Sequence, residues 1–183
     1  MKEHELNHAA RLLYGLKQHF PEAFEHSFRV GQMAVKLYPY TGFPEEIRMD
    51  IIVGAYLHDI GKKAVPKRIL HKKGPLTNRE WEKITRHPTW GLKYLSIYSD
   101  IIRNICHLHH RKCNGKGYPP DVDDIPDYVQ FVTVLDMYDA MSQKRCYKES
   151  IRREEVLEIL YKDAENKALN RHYIDILKHL WEE

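Results

Sequence analysis

The sequence has few cysteines and no long uncharged apolar run. Its three cysteines, Cys106, Cys113 and Cys146, are odd in number and unevenly spaced, so a disulfide framework is not indicated. The first residues carry charges where a signal peptide needs an apolar stretch. No segment approaches the roughly 18 uncharged apolar residues of a membrane span. We therefore expect a cytoplasmic protein that does not enter a membrane.

An excess of charge of one sign is also missing. Charged residues make up 30% of the chain, yet the formal net charge is only +3. This balance does not indicate a long basic surface for duplex nucleic acid, although small anionic ligands remain compatible with it. Because the chain has 183 residues and no linker, repeat or low-complexity tract, we expect a single domain over residues 1–183.

Runs of alternating apolar and polar residues, which are typical of strands, are absent as well. Nearly every periodic segment has helical spacing, so the sequence predicts an all-α fold. The N-terminal helix over residues 1–20 would belong either to the core or to a surface that binds a partner, and residues 150–182 would form closing helices. The predicted helices span residues 4–19, 22–38, 44–60, 77–87, 90–97, 99–110, 127–143, 150–165 and 171–182.

Local signals set some of these boundaries. Thr77 and Glu80 form a capping box that predicts a helix start, and Pro88 is expected to help end the helix that follows. Residues 61–74, rich in lysine, and residues 111–126, rich in glycine, proline and aspartate, are expected to be irregular.

The sequence does contain a set of histidines and aspartates that lie in segments with helical periodicity. His58 and Asp59, for example, continue an apolar stripe formed by Ile51, Ile52 and Ala55. A buried carboxylate without a partner is costly enough that it would usually neutralise, so several such groups directed at one core indicate a shared cation. The seven candidate metal ligands are His26, His58, Asp59, His87, His109, His110 and Asp136.

Neighbouring ligands suit a site with two cations. Adjacent helical residues project about 100° apart, so each can face a different metal, or a carboxylate can bridge both. Two cations about 3.5 to 4 Å apart can hold a bridging hydroxide and stabilise the attacking and leaving oxygens of a phosphoester. Lys62, Arg145 and Lys148 could reach a phosphate oxygen, and Tyr118 could stack on a base. Histidines and carboxylates without a well-placed cysteine favour Fe or Mn.

Four segments carry a family resemblance. HDIGK, HPTWG, HHRKCNGKGYP and DMYDAMSQKRCYK resemble the HD-GYP family of bacterial HD-domain phosphohydrolases, and these motifs extend over roughly residues 22–148. The resemblance implies a helical bundle around two or three metal ions. It also implies hydrolysis of cyclic di-GMP, a bacterial second messenger, to linear pGpG, with GMP as a further product if a third metal binds.

The resemblance further implies roles for single residues. The seven candidates above match the family's metal ligands, with Asp59 in the bridging position and Lys62 acting beside it in catalysis. Glu22 matches the extra carboxylate of members with a third metal, although a glutamate in the first turn of a helix also has a structural explanation. The positions that would contact the nucleotide's phosphates and guanine are Lys62, Tyr118, Arg145 and Lys148. Gly115, Gly117 and Pro119 would shape the loop that carries Tyr118.

Two departures from the family leave the function open. Arg111 and Asn114 stand where the family usually has Glu and Asp, and losing such supporting carboxylates can lower metal affinity or activity. Arg111 could instead add positive charge for a phosphate. The alternatives are therefore an HD-type hydrolase of a mononucleotide or other phosphate ester, and a non-catalytic cyclic dinucleotide receptor. A protein partner or a homo-oligomer also stays open.

Overall fold

The computed structural model describes residues 1–120, 122, 124–143 and 151–181. Within these ranges the regular elements are helices, which confirms the predicted fold class. Five short 3-10 helices occupy Tyr38–Tyr40, Glu45–Ile47, Ile60–Ala64, Leu92–Tyr94 and Leu177–Leu180. The α-helices are α1 (Glu3–His19), α2 (Pro21–Leu37), α3 (Arg48–Leu57), α4 (Lys67–Leu70), α5 (Asn78–Ile84), α6 (His87–Gly91), α7 (Asp100–Leu108), α8 (Asp127–Ser142), α9 (Arg153–Glu165) and α10 (Arg171–Ile176).

The core is divided into two clusters that share α3 and α7. The larger cluster also takes side chains from α2, α8, α9 and α10, and fully buried Phe131 and Leu135 belong to it. The smaller cluster takes side chains from α1, α3, the first 3-10 turn after α3, and α7. Leu12 and Leu16 of α1 are buried in this second cluster, so the N-terminal helix packs into the core.

The helices that carry the candidate ligands follow the predicted stripes. Pro21 is the first residue of α2, where its fixed φ angle suits a helix start and its missing N–H is not needed. Along α2, Val30, Ala34 and Leu37 are buried below His26. These apolar residues fix the rotation of α2 about its axis, so His26 is turned toward the interior.

Two helices end earlier than predicted. The helix expected over residues 44–60 is a 3-10 turn followed by α3, which stops before His58. The helix expected over residues 99–110 is α7, which stops at Leu108. At both ends a histidine ring nitrogen bonds a carbonyl three residues earlier, and this side-chain bond competes with the backbone ladder.

Other local predictions were wrong in detail. Pro88 does not end the helix that starts after Thr77, because α5 ends at Ile84 and Pro88 is the second residue of α6. Proline fits there because a first-turn N–H has no intrahelical partner. The helix expected over residues 90–97 is instead the end of α6 and the 3-10 turn Leu92–Tyr94.

The lysine-rich stretch 61–74 is also more ordered than expected. It contains most of the 3-10 helix Ile60–Ala64 and all of α4. Val65, Ile69 and Leu70 are buried in the smaller core cluster, and their burial holds this stretch in place. In the part of the chain that the structure describes, no helix combines the length and apolar character needed to cross a bilayer.

Candidate metal centre

The seven predicted ligands converge in two adjoining groups. One group contains Asp59, His87, His109 and His110, and the other contains His26, His58 and Asp136; within each group the ligand atoms lie within 4.8 Å of one another. All of these residues are buried except His110, which is half-buried. Residues from α2, α8 and the ends of three other elements are therefore brought to one place.

Asp59 lies between the two groups. Its Oδ1 is 3.1 Å from Nε2 of His87 and 3.8 Å from Nε2 of His109. Its Oδ2 is 3.7 Å from Nε2 of His58 and 3.9 Å from Nε2 of His26. One carboxylate oxygen thus faces each group, which is the arrangement that a bridging ligand requires.

Glycine brings His87 to this carboxylate. Gly61 follows Asp59 by two residues, and a Cβ atom at Gly61 would overlap the carbonyl oxygen of His87. The same Cβ would lie 2.6 Å from the backbone nitrogen of Gly91, at the other end of α6. The absence of side chains lets α6 rest directly on the 3-10 turn after Asp59.

Three histidines are held in a single tautomer. A carbonyl oxygen can only accept, so an Nδ1 that bonds a carbonyl carries a proton, and in the neutral ring Nε2 then has the lone pair. The three Nδ1 to carbonyl bonds are His58 to Ala55 at 2.8 Å, His87 to Ile84 at 2.8 Å and His109 to Cys106 at 2.9 Å.

The resulting lone pairs face one another and the carboxylates. Nε2 of His87 lies 3.3 Å from Nε2 of His109, although neither carries a hydrogen to donate. Nε2 of His87 also lies 3.1 Å from Oδ1 of Asp59, where a neutral ring would again present a lone pair. Nε2 of His58 and Oδ1 of Asp59 are buried without a hydrogen-bond partner among the described residues. Lone pairs that converge in this way repel unless a cation lies between them, so the residues fit divalent metal ions.

Burial sets the charge of the ligands. It lowers the pKa of His58, lowers that of His109 well below its usual value and lowers that of His110 to about 3, so these imidazoles are neutral at pH 7. Burial alone would raise the pKa of Asp59, but the adjacent Lys62 ammonium holds it well below its usual range. Neutral imidazoles and ionised carboxylates are the forms that bind metals.

Sequence reasoning missed the role of Asp139. This buried carboxylate accepts a hydrogen bond from Nδ1 of His26 at 2.7 Å and two from Arg29, at 2.7 and 2.9 Å. Burial alone would lower the pKa of His26, but its hydrogen bonds to Asp136 and Asp139 outweigh burial and raise it. Asp139 lies three residues after Asp136, on the same face of α8, and that spacing is the signal that could have revealed it.

The residues predicted to contact the substrate, and Glu22, differ in how close they lie to the two ligand groups. Nζ of Lys62 donates to Oδ2 of Asp59 at 2.5 Å, and the Tyr118 ring lies 4.6 Å from the His110 ring. Glu22 is exposed and lines the cavity beside the centre, outside both ligand groups. Arg145 and Lys148 lie outside the described residues.

Arg111 and Asn114 make hydrogen bonds that hold the loop that carries Tyr118. Arg111 is only 7% exposed, and its Nε donates to the carbonyl of Val122 at 2.8 Å. This burial argues against the alternative in which Arg111 offers its charge to a phosphate. Nδ2 of Asn114 donates to the carbonyl of Asn166 at 3.2 Å and so ties the loop to the turn after α9.

The loop reaches the centre at Gly117. The φ angle of Gly117 is 91°, a region that side-chain-bearing residues rarely adopt, and a Cβ there would overlap the carbonyl of His110. Glycine therefore lets the loop fold back onto the His109–His110 pair and sets Tyr118 against it.

A cavity of about 850 Å³ opens beside the centre. Its inner end is lined by His26, His87 and His110, together with Lys62 and Tyr118. A further part of its lining comes from residues between 69 and 84, including Trp81 and Ile84 of α5. The cavity is within the size range of sites for small organic ligands, about 300 to 1,000 Å³.

Comparisons with known proteins agree with this architecture. The sequence profile of the HD domain family matches residues 6–171. The chain is 32% identical over 173 residues to the 3'3'-cGAMP-specific phosphodiesterase 2 of Vibrio cholerae, covering 88% of this chain and 32% of that protein. It is 37% identical over 133 residues to a cyclic di-GMP phosphodiesterase of Thermotoga maritima, covering 69% of this chain and 36% of that protein. The chain thus spans about a third of the length of these relatives.

Two solved structures share the fold. The HDG"Y"P protein Bd1817 from Bdellovibrio bacteriovorus has a TM-score of 0.67 at 18% identity, covering 86% of this chain and 52% of that one. The HD domain of the L. monocytogenes phosphodiesterase PgpH also has a TM-score of 0.67 at 18% identity, covering 91% and 93%. The chain belongs to the HD domain family, and its resemblance to the HD-GYP branch is confirmed. Family and donor groups together indicate a divalent metal site.

Proposed function

We propose that this chain is a metal-dependent phosphodiesterase that hydrolyses cyclic di-GMP to linear pGpG. The observation that carries the proposal is the position of Asp59, with one carboxylate oxygen toward each of two groups of nitrogen and oxygen donors. Relatives named as cyclic di-GMP and 3'3'-cGAMP phosphodiesterases support the choice of a cyclic dinucleotide.

In this proposal each donor group holds one divalent metal ion. Fe or Mn suits the five histidines and two aspartates, since imidazole and carboxylate together favour these metals over structural Zn. When bound, such ions supply an activated water and stabilise negative charge on a phosphate. Glu22, four residues before His26 on α2 and at the edge of the same cavity, is the candidate ligand for a third ion and hence for further hydrolysis to GMP.

The chain's own residues would bind and orient the substrate. Lys62 sits at the boundary between Asp59 and the cavity, where its ammonium can shift from the carboxylate to a phosphate oxygen. Tyr118 presents its ring beside His110 for stacking on a guanine. Arg145 and Lys148 remain proposed phosphate contacts. Asp139 and Arg29 hold the His26 ring, and so act as positioning residues.

The size of the cavity favours a dinucleotide over a mononucleotide. The volume of about 850 Å³ leaves room for a ligand larger than a mononucleotide, and residues between 69 and 84 add to the surface that such a ligand could contact. The receptor alternative is disfavoured because all seven donors are present and converge.

The proposal is tested by incubating the Mn- or Fe-loaded protein with cyclic di-GMP and, separately, 3'3'-cGAMP, and separating the products by chromatography. Linear pGpG from cyclic di-GMP supports the proposal, and cleavage of cGAMP alone corrects the substrate. Tight binding without a product indicates a receptor, whereas activity on a simple phosphate ester alone indicates the mononucleotide enzyme. Asp59→Ala should abolish both metal binding and turnover, while Asp100→Ala, on an exposed helix start, should retain both.

A further inference from the structure

Trp81 is the one tryptophan that the core does not use. Trp90 packs against the smaller core cluster, and Trp181 packs against the larger one and lies 5.7 Å from the Tyr138 ring. Trp81 belongs to neither cluster and is 54% exposed. Single exposed aromatic rings are common on protein surfaces, so the position of Trp81, rather than its exposure alone, is what points to a ligand.

The exposed indole borders the cavity of the metal centre. Trp81 and Ile84, three residues apart on α5, both line that cavity, and Leu76 lines it just before the helix. Ile84 and Leu76 are anchored in the smaller core cluster. Leu76, Trp81 and Ile84 thus form an apolar part of the lining beside Lys72 and Lys73, and Leu76 and Ile84 pack against the core behind it.

The position of this wall is fixed relative to the metal centre. The carbonyl of Ile84 accepts the hydrogen bond from Nδ1 of His87, so the end of α5 orients a metal ligand. The start of α5 is held by Glu80, which accepts from the backbone N–H of Thr77 at 2.8 Å and from Nζ of Lys72 at 2.6 Å. Binding therefore does not need to order this wall, and a preformed wall of this kind costs little entropy on binding.

We infer that the indole of Trp81 stacks on the second base of a cyclic dinucleotide whose scissile phosphate lies at the metal centre. The inference rests on the proposed function and extends it. Tyr118 would then hold one base beside the metal centre, while Trp81, which lines the same cavity, holds the other. Aromatic stacking tolerates any purine, so this contact selects for two linked bases rather than for guanine.

The test measures kinetics for the metal-loaded wild type, Trp81→Ala, Trp81→Phe and Tyr14→Ala. Tyr14 is a matched control because it is an exposed aromatic residue, at 65%, on α1. Loss of one stacked base should raise KM for cyclic di-GMP roughly 5- to 150-fold in Trp81→Ala, with a smaller change in kcat. Trp81→Phe should recover part of the loss, and Tyr14→Ala should match the wild type. Turnover of methyl p-nitrophenyl phosphate, which is too small to reach Trp81, should not change.

A KM for Trp81→Ala within twofold of the wild type would overturn the inference and leave the proposed function intact. Equal losses on the small ester and on cyclic di-GMP would overturn it too, because they would mark a general structural defect. If the wild type does not cleave cyclic di-GMP, the proposed function fails, and binding measured by calorimetry then decides the inference. Weaker binding by Trp81→Ala supports stacking, whereas equal affinity or no binding by the wild type rules it out.

Discussion

At the scale of the residue, the metal centre depends on where the imidazole protons lie. His58, His87 and His109 each donate a hydrogen bond from Nδ1 to a nearby carbonyl. His26, in contrast to these three, donates its Nδ1 hydrogen bond to a carboxylate, that of Asp139. A carboxylate that accepts from Nδ1 makes the Nε2 of the same ring a stronger metal ligand than a carbonyl acceptor does. The affinity of His26 for a metal ion should therefore depend most on its hydrogen-bond partner, Asp139.

We therefore predict that Asp139→Asn weakens metal binding by about 10- to 100-fold, because the amide keeps the shape but removes the charge behind His26. The measurement is a titration of metal-free protein with Mn²⁺, followed by calorimetry. Asp100→Asn, which changes an exposed carboxylate at the start of α7, is the matched control and should bind like the wild type. Unchanged affinity in Asp139→Asn would show that the carboxylate is not a functional support.

The buried histidines also predict how the metal-free protein responds to pH. His58, His109 and His110 have lowered pKa values in the folded protein, whereas in the unfolded chain they bind protons near pH 6.5. Below pH 6.5 the unfolded state thus binds more protons, and stability falls as the pH falls. His26 acts in the opposite sense, because its raised pKa contributes stability that is lost as the pH rises through that value.

Three histidines destabilise the fold as the pH falls and one stabilises it. The metal-free protein should therefore melt at a lower temperature at pH 5 than at pH 7. Thermal unfolding followed by circular dichroism in a chelator checks this. An equal or higher melting temperature at pH 5 would contradict the assigned charge states.

At the scale of the element, much of the fold follows from sequence periodicity. The stripe through Val30, Ala34 and Leu37 predicts both α2 and the inward turn of His26, and the structure confirms it. The capping box at Thr77 is also present as predicted. These features depend on residues one or two helical turns apart in the same segment, and such spacings can be read directly from the sequence.

Features that depend on distant contacts were not predictable in the same way. The early end of α3 depends on the ring of His58, and the placement of Pro88 depends on α6 packing against the 3-10 turn after Asp59. The pairing of Asp139 with Arg29 joins residues 110 positions apart. No local pattern contains such information, although the order of the seven residues and the motifs around them were enough to predict that these side chains converge.

The packing of α6 gives a prediction for Gly61. In Gly61→Ala the new methyl group would overlap backbone at His87, so α6 must move and carry His87 away from Asp59. We expect weaker metal binding and a lower melting temperature. Gly74→Ala is the control, because a Cβ at that position meets no atom within 4 Å, and it should behave like the wild type. Metal content after gel filtration and thermal unfolding would check both; a normal Gly61→Ala protein would contradict the close approach.

At the scale of the whole molecule, the centre joins elements from both core clusters. The seven proposed ligands come from α2 and α8, from α6, and from the ends of α3 and α7. A metal ion that binds only the folded chain stabilises it by mass action. At a free metal concentration of about 100 times Kd the gain is roughly 2.7 kcal/mol, which corresponds to about 5 to 11 °C in melting temperature for a chain of this size.

This stabilisation should be visible when metal-free protein is melted with and without Mn²⁺. It should be absent in Asp59→Ala, which lacks the carboxylate between the two donor groups. A rise of the same size in Asp59→Ala would mean that the ion binds elsewhere.

The central claim is that seven residues from distant parts of the chain form one centre for two metal ions. Anomalous X-ray diffraction at the Mn or Fe absorption edge, on crystals grown from protein loaded without oxygen, tests it most directly. We predict two peaks, one among Asp59, His87, His109 and His110 and one among His26, His58 and Asp136, with Asp59 between them. A map without peaks at these residues, or with its peaks elsewhere on the protein, would contradict the claim.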